Sequence, residues 1–105
     1  MLPLPNVQFV HLYPLPINIR WGEAKLIELC KKEMGLDPKR GGVFLFFNRK
    51  KDQLKLFFLD DTGSQELLKL LPRGGFLVPV PKDGEKFVKI GIEKLNSLFR
   101  TDMFS

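Results

Sequence analysis

Few side chains in this chain of 105 residues are of the types that make or break bonds. His11 and Cys30 are each the single member of their kind. A Cys–His nucleophilic pair requires the two to touch, but Cys30 lies on the apolar face of a predicted helix and reads as a small core residue. His11 sits among apolar residues in a predicted strand, the setting of a partly buried hydrogen-bonding imidazole. One Cys and one His cannot supply a zinc site. Asp60 and Asp61 are adjacent carboxylates, and a metal-dependent nuclease is the enzymatic reading they allow. Such a site needs acids converging from separate elements, whereas these two head the turn Asp60-Asp-Thr-Gly63, where aspartate is favoured because it bonds its own backbone. Gly41-Gly42 and Gly74-Gly75 match neither a phosphate-binding loop nor a dinucleotide fingerprint. The expectation is a protein without catalytic residues, metal or cofactor, and not an enzyme.

The remaining chemistry is charge. The formal net charge is +5, a pointer to polyanions. Between positions 39 and 55, Lys39, Arg40, Arg49, Lys50, Lys51 and Lys55 are set against one acid, Asp52, and elsewhere the signs balance. Arg49-Lys50-Lys51 forms the polar tip Asn48–Gln53 between two apolar runs, Val43–Phe47 and Leu54–Leu59. A hairpin tip is polar by default, but three successive cations repel one another. A two-stranded ribbon fits a DNA groove, and Arg or Lys at its end contacts phosphates. Stacking of single-stranded bases is a weaker reading, because Phe44, Phe46, Phe57 and Phe58 are needed for the core.

The elements that must position this hairpin are those of a small globular domain, expected to span residues 1–105. Hydrophobic residues make up 44% and charged residues 28%, which argues against disorder. Ten phenylalanines suit a small core. The proline-broken start, without a basic region, is no signal peptide, and no apolar run is long enough to span a bilayer. A lone cysteine gives no internal disulfide, so the cytoplasm is the expected location.

Val7–Tyr13 reads as a strand, ended by Pro14. Arg20–Gly35 reads as an amphipathic helix carrying Ala24, Ile27, Cys30 and Met34 on one face, with Asn18 as N-cap and Gly35 as its left-handed terminator. Residues 36–42 form a loop. Val43–Phe47, apolar at every position, is a central strand covered on both faces. Leu54–Leu59 returns antiparallel to it. Ser64–Leu71 carries good helix formers, but it follows a tight turn and allows only about two turns before Pro72. Phe76–Pro81 is extended, a sheet edge by its prolines. Lys86–Ile90 is a strand, Ile92–Phe99 a C-terminal helix, and Thr101–Ser105 frays. The fold class is α+β: a mainly antiparallel sheet of about five strands, with one helix after the first strand and a short one at the end.

An ordered series of short motifs then resembles a known family. Ile19-Arg20-x-Gly22, Asp37-Pro38-x-x-Gly41, Val43-Phe-x-Phe46, Asn48-Arg49, Asp52-x-Leu54-Lys55, Asp60-x-x-Gly63, Lys69-x-Leu71 and Gly74-x-Phe76-x-x-Pro79 follow one another. They are similar to the accessory protein of the second open reading frame of the insertion sequence 66 family of bacterial transposable elements. The resemblance favours a strand at Ser64–Leu71. It implies a protein encoded beside a large transposase that assists transposition, and it brings no catalytic residues. The chain departs from the family pattern at Asn18, Trp21, Leu59, Leu70 and Val78, as a divergent member would.

Two functional readings follow. In the first, the protein contacts DNA through Arg49, Lys50, Lys51 and Lys55, helped by Lys69, Arg73 and Arg20, with Lys55 and Lys69 sharing one sheet face as a basic stripe. In the second, it docks on the transposase through apolar surface at Trp21, Phe57, Phe58 and Leu59. No membrane partner is expected.

Overall fold

The computed structural model describes residues 7–95. β2 (Phe44–Phe47) and β3 (Gln53–Asp60) form the centre of a five-stranded sheet of order β4-β3-β2-β1-β5. Every residue of β2 is buried, as its unbroken apolar sequence predicts. β4 (Gly63–Leu70) is antiparallel to β3 across the turn at Asp61-Thr62. β1 (Phe9–Leu12) lies parallel to β2, with His11 opposite Phe44 and Leu12 opposite Leu45. β5 (Val88–Gly91) closes the other side antiparallel to β1.

The parallel β1–β2 pair requires a crossover, and the helix supplies it. α1 (Glu23–Leu29) continues as a π-helical turn, Cys30–Met34, ended by Gly35 at φ 69°. Leu26, Cys30 and Met34, four residues apart, are buried against Phe44, Phe46 and Phe57, with Tyr13 and Ile17 completing this layer. On the opposite face Val10, Leu12, Val43, Leu45, Phe47, Leu54, Leu56, Phe58 and Ile90 pack with Phe76 and Leu95. Each large ring taken out of water contributes about 2–3 kcal/mol, so the phenylalanines carry most of both layers.

The helix starts three residues later than predicted, because Asn18 caps a turn instead. Its Oδ1 accepts from the Arg20 N–H at 3.0 Å and its carbonyl from the Trp21 N–H at 3.0 Å. Gly22 is the N-cap, and no side chain caps the helix there. Ser64–Leu71 is a strand, because pairing with β3 through all eight residues of β4 outweighs helix propensity over two turns. Phe76–Pro81 is not a strand. Phe76 is buried beneath the sheet, and the segment beyond it runs as irregular chain to β5. Residues 92–95 are helical, where the C-terminal helix is expected; the rest of that predicted helix, the fraying predicted for Thr101–Ser105 and the first six residues lie outside the described residues.

Candidate nucleic-acid interface

The tip between β2 and β3 is shaped by Asn48. Its Oδ1 accepts from the Asp52 and Gln53 N–H groups at 3.1 and 3.0 Å, and its Nδ2 donates to the Asp52 carboxylate at 2.6 Å. The Lys51 N–H donates to the Asn48 carbonyl at 3.0 Å, which bends the chain so tightly that Lys51 takes φ 60°. Arg49, Lys50 and Lys51 are all exposed. The one acid of the tip, Asp52, is occupied by Asn48.

A second loop is latched onto this turn. The Phe76 N–H donates to the Lys51 carbonyl at 2.6 Å, and the Leu71 N–H donates to the Asp52 carbonyl at 2.7 Å. Gly75 makes the approach possible, since a β-carbon there would stand 3.1 Å from the Lys51 oxygen and 3.4 Å from that of Lys50. The 71–76 segment thereby carries Arg73 to the tip. Segment 17–21 reaches the same end of the sheet, with the Ile17 N–H bonded to the Phe47 carbonyl at 2.9 Å, and brings exposed Arg20. Among the described residues, none of Arg20, Arg49, Lys50, Lys51 and Arg73 forms an ion pair.

Lys55 does not join them. It is 7% exposed, and its Nζ donates to the Trp21 carbonyl at 3.0 Å and pairs with the Glu66 carboxylate at 2.9 Å. The expected Lys55–Lys69 stripe is also absent. Lys55 opposes Leu68 on the helix-covered face, whereas Lys69 opposes Leu54 on the other, because side chains alternate along a strand. Lys69 is half-buried near the same end of β4. The expected apolar docking patch is divided in the same way: Phe57 and Phe58 are buried on opposite faces, and Trp21 and Leu59 are half-covered. The turn that fixes Lys51 and the role of Gly75 had a local signal in Asn48 and in the glycine pair, but their pairing in space did not.

The other chemical candidates are structural. Burial pushes the Cys30 thiol up to about 12. The His11 ring lies between Phe9, Phe44 and Phe87, at centroid distances of 5.3, 5.3 and 4.9 Å, with Nδ1 3.3 Å from the Val43 carbonyl. Burial holds its pKa below the ordinary value, opposed by that hydrogen bond and reinforced by the Lys89 charge. Asp60 accepts from Thr62 N at 2.8 Å, Thr62 Oγ1 at 2.6 Å and Gln65 Nε2 at 3.2 Å. The Thr62 hydroxyl, first among these, lowers its pKa. These are the bonds of a turn. Among the described residues, no group of three or more His, Cys, Asp or Glu side chains is gathered as a metal site, and no helix is long and apolar enough to cross a membrane.

The chain is 32% identical over 69 residues to the uncharacterized protein y4jC of Sinorhizobium fredii (strain NBRC 101917 / NGR234). That alignment takes in 66% of this chain and 59% of the relative, so the chain spans less than two thirds of that protein's length. No solved structure matches. A family model described as IS66 Orf2 like protein matches residues 8–103, which include both sheet layers and the basic tip. The chain therefore belongs to the IS66 Orf2-like family.

Proposed function

We propose that the protein plays an accessory role in transposition, as its family membership suggests, and that this role includes direct contact with DNA phosphates at the tip end of the sheet. The observation that carries the reading is that three segments hydrogen-bonded at one end of the sheet carry exposed cations without ion pairs among the described residues: Arg49, Lys50 and Lys51 on the tip, Arg73 in the segment latched to it, and Arg20 in segment 17–21. Folding alone does not require cations to gather there, and the hydrogen bonds that latch the two loops hold the charges in place before an anion arrives. Lys55 has no part in the contact; it ties β3 to β4 and to the start of the helix.

Four or five neutralised phosphates give a slope of log K against log salt of roughly −4. Fluorescence anisotropy with a labelled duplex at several salt concentrations measures it. Replacing Arg49, Lys50 and Lys51 with Ala is expected to make the slope shallower by roughly 3. No binding to duplex or single strands at low salt would sink the reading.

A second reading, docking on the transposase, is supported by an apolar groove of about 440 Å³ between Pro14-Leu15-Pro16 and the 78–81 segment, floored by Phe47. Leu15 and Val80 on its walls are 58% and 86% exposed. Lys51 of the tip also lines this groove, so co-purification with the transposase that survives Arg49→Ala/Lys50→Ala and is lost in Leu15→Asp/Val80→Asp favours this surface.

A further inference from the structure

Trp21 is the chain's single tryptophan, and its backbone is pinned on both sides. Its N–H donates to the Asn18 carbonyl at 3.0 Å, and its carbonyl accepts from Lys55 Nζ at 3.0 Å. Lys55 stands two residues along β3 from Gln53, where the tip ends. Trp21 is therefore tied to the sheet close to its cationic end, next in sequence to exposed Arg20. Trp21 and Leu29 both pack against the helix-side core and both keep part of their surface in solvent.

Beside the indole lies a slot of about 190 Å³, lined by Trp21, Lys25, Glu28, Leu29, Lys32 and Glu33. Steps of three and four residues set these side chains along one stripe of the helix. A cavity of about 150 Å³ admits benzene, so the slot has room for one flat heterocycle. Trp21 and Leu29 give it an apolar floor, and its rim carries two ammonium donors and two carboxylate acceptors. Among the described residues none of these four charges forms an ion pair, and Lys25 Nζ stands 5.1 Å from the centroid of the indole. An aliphatic side chain in the slot desolvates those charges and returns no hydrogen bond. A nucleobase is flat and carries donors and acceptors on its edge, so it suits floor and rim together.

We propose that this slot stacks one unpaired base of a single-stranded or locally opened DNA on Trp21, while Arg20 and the tip cations hold its phosphates. The proposal rests on the DNA reading above and adds the form of the nucleic acid. In a closed duplex each base is stacked between its neighbours, and only an extruded base reaches such a slot. Stacking itself accepts any base. The carboxylates of Glu28 and Glu33 favour one with an exocyclic amine, such as cytosine.

Because the indole is single, its own fluorescence tests the proposal. The full chain is titrated with oligo-dC, following Trp21 emission, and in parallel with the same strand end-labelled, following anisotropy. The expected result is saturable quenching with the midpoint that anisotropy gives, and no quenching by a strand of abasic sites that keeps the phosphates. Trp21→Ala is expected to raise Kd for oligo-dC about tenfold or more. It removes no charge, so the salt slope and the affinity for duplex stay as they are; Trp21→Phe keeps most of the affinity. Binding by anisotropy with the indole unquenched, or quenched equally by the abasic strand, overturns the stacking and leaves the phosphate contact standing. So does a Trp21→Ala protein that binds oligo-dC as tightly as the unaltered one. Absence of binding to every strand overturns both. If Trp21→Ala fails to fold, as judged by circular dichroism, the comparison of oligo-dC with the abasic strand decides.

Discussion

Lys55 shows how one side chain can have the right charge for a ligand and still belong to the fold. Its ammonium is held between a carboxylate and a backbone carbonyl, both within 3.0 Å, at 7% exposure. Lys55→Ala leaves Glu66 and the Trp21 carbonyl without their donor, and a loss of about 1–3 kcal/mol in urea unfolding is expected. Lys55→Met with Glu66→Leu removes both charges and should recover most of that loss. The salt slope of DNA binding should not change in either variant. His11 supplies a pH dependence of known sign. Its folded pKa lies below its unfolded value of about 6.5 because burial disfavours the imidazolium. The unfolded chain therefore binds more protons, and stability present above pH ~6.5 falls as the pH drops through that value toward the folded pKa. As the chain's single histidine, its NMR titration midpoint should lie below that of a His peptide, and His11→Gln should flatten the stability profile there.

At the scale of elements, the tip turn and its latch are the parts that place charge. Lys51 at φ 60° is a non-glycine residue in the left-handed region, so Lys51→Gly should stabilise the protein by about 0.5–1 kcal/mol while making the salt slope shallower by roughly 0.9. Opposite signs in thermal unfolding and in binding would separate the backbone role of this residue from its charge. Much of this level was legible in the sequence. The unbroken apolar run of β2, the turn at Asp60–Gly63 and the terminator Gly35 are local signals, and each is where its residues predict. The start of the helix was misread because Asn18 has two local options, an N-cap or a turn, and the turn won. The Lys55–Lys69 stripe failed for want of register: a shift of one residue moves a side chain to the other face, and sequence does not carry the count across a turn when both strands are apolar.

At the scale of the whole molecule, the order β4-β3-β2-β1-β5 could not be read from the chain, because the parallel β1–β2 contact and the β1–β5 closure join residues far apart in sequence. The attachment of the segments carrying Arg20 and Arg73 to the tip end of the sheet depends on long-range backbone bonds of the same kind, which the chain does not reveal residue by residue.

Cys30 offers a way to watch the fold open. It is the chain's single cysteine, fully buried beneath the sheet, with its thiol pushed up to about 12. A thiol reagent attacks only the thiolate, so in the native state the reaction must wait for α1 to lift from β2 and β3. The labelling rate at fixed pH thus becomes a clock for that opening. The labelling rate should quicken in Lys55→Ala, whose lost bond ties the segment just before the helix to the strand beneath it.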